Sequence, residues 1–190
     1  MKKIIGLFLF ASVVMASLTP TAFAYTKPSG NYCGADDKTP GSSSTKIQYF
    51  KIPYEVEYSG DTSSITPLLL DKWVYSGESK ACGLPFTVES YTNNYSQTVN
   101  YTFTAKASKS TTYNTSVNAN FLDAFNATMG YQATNTVERS SQFSVPVKPY
   151  TTVTLKASPS LAIIKGTWKY LTGSKYVEVY YPTHLRWITE

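Results

Sequence analysis

The sequence predicts an all-β protein: an elongated antiparallel sheet or sandwich that carries one long, Ser/Thr-rich amphipathic hairpin. Three observations point there. The chain holds 16 Tyr with abundant Ser, Thr and Asn, and such residues favour strands and their turns. From Thr98 to Val145 polar and apolar residues alternate with a period of two, the spacing of a strand with one covered face. Between the apolar runs stand Gly-, Pro- and Ser-rich punctuators such as "SGDTSS" and "LTGSK", which read as turns.

Residues 1–24 read as an export signal. Lys2 and Lys3 precede an apolar run from Ile4 to Met15, and Ala22-Phe23-Ala24 has the small-x-small form of a cleavage site. The apolar run is shorter than the roughly 20 residues that a membrane-spanning helix needs. The expected mature chain starts at Tyr25 and is secreted. Its two cysteines, Cys33 and Cys82, suit one disulfide in an oxidising compartment.

Residues 25–44 are rich in Pro, Gly, Ser and Asp and are expected to form an N-terminal loop, with residues 45–190 forming a single β domain. In 46–58, Phe50, Ile52, Tyr54, Val56 and Tyr58 share one face of a predicted strand, which Pro53 assigns to a sheet edge. Residues 65–75, with "LLLDKWVY", fit a short helix or a buried strand equally well. "SGESKACGLP" reads as loop. "VPVKPY" ends the long run because proline cannot donate to a central ladder. Three strands are expected at 151–157, 161–170 and 175–181, with "LTGSK" as the hairpin turn between the last two.

The centre of the long run, "NANFLDAFNATMG", offers two spacings. Phe121, Leu122, Phe125 and Met129 fit one helix face, but they also continue the alternation. Even positions from Thr98 to Asn120 are all polar. Odd positions carry Val99, Tyr101, Phe103, Ala105, Ala107, Tyr113, Val117, Ala119 and Phe121. The same parity returns from Phe125 to Val145. The run is therefore expected to be two strands joined at residues 122–124, with Phe121 opposite Phe125, Val117 opposite Met129 and Phe103 opposite Phe143. Each arm would extend roughly 65 Å, and a membrane-crossing β-strand needs only about 9 to 11 residues. An apolar outer face, a Ser/Thr/Asn inner face and an apolar tip are what the stem of a transmembrane β-barrel requires. Several copies must close such a barrel, since backbone groups in lipid must all be paired. A water-soluble sheet with one packed face has the same alternation.

The run "VNYTFTAKASKSTTYNTSVNANFLDAFNATMGYQATNTVERSSQFSVPVKPYTTVTL" resembles the stem-bearing domain of the aerolysin and epsilon-toxin/mosquitocidal-toxin group of β-pore-forming proteins. The shared plan is a Ser/Thr-rich strand, an amphipathic segment, a second Ser/Thr-rich strand and a "VP" stretch, here Val145-Pro146, leading into a strand at Tyr150 to Leu155. The likeness covers roughly residues 85–157 and extends to small secreted proteins of Gram-positive bacteria with the same pattern. It implies a secreted homo-oligomer that meets a lipid membrane or a surface receptor such as a glycan. Residues 98–145 would insert, and Tyr101, Phe103, Tyr113, Val117, Phe121, Leu122, Phe125, Met129 and Tyr131 would face lipid. The chain is shorter than that group, with only residues 25–84 ahead of the stem region.

Other chemistry is sparse. Removing Lys2 and Lys3 with the leader lowers the net charge from +5 to +3, and no Lys/Arg cluster marks a nucleic-acid surface. His184 is the only histidine and has no motif around it for a hydrolase triad or a metal site, so neither catalysis nor a cofactor is expected. Asp36-Asp37 lacks the spaced carboxylates of a calcium loop and reads as a solvated turn. Trp168, Tyr170, Tyr176, Tyr180, Tyr181 and Trp187 fit either core packing or exposed stacking surfaces.

Overall fold

The computed structural model describes residues 25–40, 47–60 and 71–190. The predicted export signal, and residues 61–70 with all of "SITPLLL", lie outside the described residues. The elements are β1 (Tyr49–Phe50), β2 (Lys72–Gly83), β3 (Phe86–Thr92), β4 (Val99–Ser110), β5 (Thr112–Tyr113), α1 (Ala119–Met129), β6 (Thr136–Val147), β7 (Thr152–Tyr170) and β8 (Gly173–Thr189). One sheet runs β1-β2-β7-β8-β5, with β3 also on β7; β4 and β6 form a separate two-stranded ribbon. All strand pairs are antiparallel except β1 with β2. The all-β expectation holds, with one helix added.

β7 organises the sheet. The sequence splits it at Ser158-Pro159-Ser160, yet it runs unbroken over 19 residues. The reason is where Pro159 falls. β3 pairs with β7 up to Ala157 and β2 begins at Ser160, so Pro159 sits where one neighbour hands over to the other and little ladder is lost. A bulge follows at Ser160/Leu161, and bulges shift which side chains face inward. Before it, odd residues Val153, Leu155 and Ala157 enter one core; beyond it, even residues Ala162 and Ile164 enter another.

Other expectations are corrected. "SGESKACG" is not loop but the second half of β2, held by pairing with β7 from Gly77↔Lys165 to Cys82↔Ser160. The predicted strand at 46–58 shrinks to β1 plus one bridge, Val56↔Tyr113, because Pro53 interrupts its donors. β8 reaches Thr189 and so includes Leu185 and Trp187, both core residues. The predicted hairpin turn is present, closed by Tyr170↔Gly173.

Two cores result. In one, the inner face of the β4–β6 ribbon packs Phe103, Ala105, Ala107, Val145 and Val147 onto Val153, Leu155, Ala157, Leu185 and Trp187. In the other, α1 packs Phe121, Ala124, Phe125 and Met129 onto Trp73, Ile164, Trp168, Val177, Val179 and Tyr181.

Candidate functional site: the β4–α1–β6 segment

The ribbon arms adopt the expected register. Val99 pairs Val147, Phe103 pairs Phe143 and Ser110 pairs Thr136, so every pair is symmetric about Asp123. Odd residues of β4 point inward. Phe103 is wholly buried; Tyr101 stacks on Tyr91 with centroids 3.8 Å apart and donates its hydroxyl proton to Glu89. Even residues face outward and pair by chemistry: Thr102 with Ser144 (2.7 Å), Ser110 with Thr136 (3.0 Å) and Lys106 with Glu138 (3.2 Å).

One step beyond Ser110/Thr136 the ladder stops. Thr111 N–H still donates to the Asn135 carbonyl (2.8 Å), but the return bond from Asn135 N–H goes to the Thr111 hydroxyl (2.9 Å). The chain then turns away. Thr112 and Tyr113 pair with β8, and Asn114 exchanges bonds with Glu178 through its N–H and its side-chain oxygen.

Here the structure corrects the predicted tip. Residues 119–129 are helical, not extended. Asn118 is an extended N-cap whose Oδ1 accepts from Phe121 N–H (3.1 Å), the usual way to satisfy a free first-turn donor. Gly130 closes the helix in the left-handed region at φ 77° and donates to the Asn126 carbonyl, a conformation glycine adopts without penalty. Phe121, Ala124, Phe125 and Met129 form the buried stripe. The helical spacing is thus real. Ala124, at an even position, belongs to the helix face and to neither strand face. Trp73 meets Phe121 edge-on at 5.4 Å and Phe125 at 5.5 Å. Thr128 Oγ1 donates to Ala124 O (2.9 Å), with Trp73 O at 3.3 Å.

The expected lipid-facing residues are all present on inward surfaces, divided between the two cores. Tyr101 and Phe103 lie in the ribbon core; Tyr113, Phe121, Phe125 and Met129 are buried around α1, with Val117, Leu122 and Tyr131 packed half-buried against them. Asn118 and Gly130 bracketing an uninterrupted eleven residues was the sequence signal for the helix.

An N-terminal strap that the sequence did not reveal is tied to both α1 and β6. Tyr25 N–H donates to Met129 O at the end of α1 (3.1 Å), and its ring packs on Tyr75. Cys33 is joined to Cys82 on β2, as expected from the cysteine count. Asp36 grips Arg139 of β6 with two 2.7 Å bonds and accepts from Trp187 N–H. Asp37 bridges Ile188. Asp36 is therefore a partly buried ion-pair residue and not a solvated turn. Burial pushes its carboxyl up, but the Arg139 and Trp187 bonds and the charges of Arg139 and Lys38 outweigh that and hold it below its ordinary value.

His184 sits on β8 opposite Ser160. Burial, then the charge of Arg139, lowers its pKa, with Asp36 pulling the other way. Of the C-terminal aromatics, Trp168, Tyr180, Tyr181 and Trp187 are buried and Tyr176 is exposed. A groove of about 450 Å³ lies between β1, the β2–β3 turn and the end of β4, with Phe50, Leu84, Phe86 and Leu161 in its walls. The Glu55–Lys109 ion pair is among its lining residues. Among the described residues, no helix is long and apolar enough to cross a membrane. The closed disulfide fits a protein folded in an oxidising compartment. No family model matches the chain, and neither the curated proteins nor the solved structures give a match.

Proposed function

We propose that the chain is a secreted, aerolysin-like protein that oligomerises on a membrane and inserts the β4–α1–β6 segment as a β-hairpin. One observation carries the reading. The ribbon pairs symmetrically about Asp123 as far as Thr111 and Asn135, and that same register continued would set Tyr113 by Ala133, Val117 by Met129 and Phe121 by Phe125. Melting α1 would thus let the arms zip onward without slipping, keeping apolar residues on one face. Energetically the exchange trades burial against Trp73 and Trp168 for burial in lipid, while the exposed Thr and Ser of the even positions become the wet lining.

The test is dye release from lipid vesicles by the purified mature protein, run beside a gel for SDS-resistant oligomers. A cystine joining α1 to β2, near Thr128 and Trp73, should abolish release until it is reduced. Release that persists with α1 locked would sink the insertion reading.

A second reading is favoured by the packing of α1. Phe121, Phe125 and Met129 are wholly buried, as in a permanent core. On that reading the chain is a secreted, non-enzymatic binding or cell-surface protein, and the mature protein stays monomeric with every vesicle composition.

A further inference from the structure

Two turns meet at the end of the molecule where β4 begins and β6 ends. Residues 93–98 link β3 to β4 and carry Tyr95; residues 148–151 link β6 to β7 and carry Tyr150. One side chain fastens them together. Asn93 is wholly buried, and its Nδ2, with two hydrogens, is shared among the carbonyls of Gln97 (2.8 Å), Val147 (3.0 Å) and Lys148 (3.1 Å). Its Oδ1 accepts from Tyr95 N–H (2.9 Å), and its backbone N–H donates to Thr151 O. Both turns are thereby set before any ligand arrives.

The two rings they present are 64% and 72% exposed and belong to neither core. Tyr150 also has φ 54°, the left-handed region where a bulky side chain is disfavoured and Gly or Asn is at home. The turn from Lys148 to Thr151, closed by Thr151 N–H on the Lys148 carbonyl, itself calls for a positive φ at its third position, but Gly or Asn would meet that need with less strain, so the turn explains the backbone and not the choice of tyrosine. Isolated exposed residues such as Leu84 and Leu171 need no such account. These two differ because one buried asparagine joins their turns.

We propose that Tyr95 and Tyr150 form a saccharide-binding end that takes a neutral oligosaccharide. Tyrosine offers a flat apolar face and a polar tip at low entropic cost, which suits the C–H face and hydroxyls of a sugar ring. Asn94, Ser96, Gln97 and Thr151 add amides and hydroxyls to the same two turns. The exposed pairs Thr92–Thr152 (2.8 Å) and Ser90–Thr154 (3.1 Å) continue that polar surface along β3 and β7. Neither turn contains a carboxylate, and Lys148 is their one cation, so charge does not select the ligand. Neither contains Phe, Trp, Leu, Ile or Arg, so a lipid wedge has no side chains to use. The proposal names the surface contact that the pore reading leaves open, but it is measured on the monomer with no membrane present.

The experiment is binding of the purified mature protein to an immobilised panel of neutral oligosaccharides ending in galactose, glucose, mannose or N-acetylhexosamine, with phosphatidylcholine vesicles alongside. The expected result is binding to at least one sugar class, weakened on the order of tenfold or more by Tyr95→Ser and by Tyr150→Asn. Melting temperature should be unchanged in the first variant and equal or higher in the second, since Asn tolerates φ above zero. No binding across the panel, binding indifferent to both variants, or a lower melting temperature for Tyr150→Asn would overturn it. Vesicle binding that both variants abolish, with sugars ignored, would assign the end to lipid and overturn it too. Dye release with no sugar binding defeats this proposal alone; sugar binding with no dye release defeats the pore reading alone.

Discussion

From Val99 to Ser110 and from Thr136 to Val147 the period-two pattern makes a β-ribbon; from Ala119 to Met129 it lies within a helix. The arms have partners in register on both sides of the hairpin axis, and each outward pair can bond or sit in water. The middle has a competing offer. Asn118 and Gly130 cap both ends of a helix, and Ala124 adds to Phe121, Phe125 and Met129 to complete a stripe that Trp73 and Trp168 can cover. Alternation does not decide between two conformations when both bury the same phenylalanines. Caps and a prepared receiving surface decide.

The largest test is therefore to remove a ring from the helix stripe that this surface receives. Phe125→Ala should lower the unfolding free energy by about 3–5 kcal/mol, the usual range for a buried phenylalanine, measured by urea denaturation. A loss below about 1 kcal/mol, the level of an ordinary surface-adjacent change, would mean that the segment is a free tip and that α1 is not its resting state.

Removing the tie that pins the strap comes next. Cys33→Ser with Cys82→Ser should cost about 4 kcal/mol by the chain-entropy argument for a loop of this size. The strap also touches the end of α1 and Arg139 of β6. Hydrogen exchange should thus rise in 119–129 and 136–147 before it rises in β7 and β8. Uniform acceleration across the sheet would show that the strap is a general staple and holds no particular segment.

Capping separates the two regions more finely. Asn118→Ala should cost about 1 kcal/mol, and Gly130→Ala about 1–2 kcal/mol for forcing a β-carbon into the left-handed region. Faster amide exchange should be confined to α1, with β4 unaffected; equal acceleration in β4 would mean that helix and ribbon open as one unit.

Much of the ribbon was legible because register there is set by pairwise matching within 98–147: Phe103 opposite Phe143 needs no knowledge of the rest of the chain. The disulfide was legible because only two cysteines exist. The helix was missed because a sustained alternation outweighed one cap at each end, and because Trp73, which rewards the helical form, lies far away in sequence. The strap was invisible for a similar reason. Its contacts, Asp36 to Arg139 and Tyr25 to Met129, join residues about a hundred positions apart, and no local pattern encodes such pairs.

Acid should loosen the strap from β6. The Asp36 carboxyl is held below its ordinary value by Arg139 and Trp187 despite the opposing effect of burial. A depressed carboxyl contributes stability that is present above its unfolded value, near 4, and is lost as pH falls through the folded value. The urea midpoint should fall with pH below about 4, and Asp36→Asn should flatten that slope while lowering stability at pH 7. An unchanged slope in the variant would place the acid sensitivity elsewhere.

The smallest effect on stability tests the outer face of the ribbon. Lys106 and Glu138 form a pair that is more than half exposed on both sides, so Lys106→Ala with Glu138→Ala should change the unfolding free energy by less than about 0.5 kcal/mol. In the resting fold these residues merely face water. In a barrel built on the same register they would form a charged ring in the lumen, where rings of charge set ion selectivity. The double variant should therefore fold and release dye like the parent, yet show altered cation-to-anion preference in planar-bilayer recordings. Unaltered preference in a conducting pore would mean that the pore keeps a different register from the ribbon, and that the symmetry about Asp123 belongs to the resting state alone.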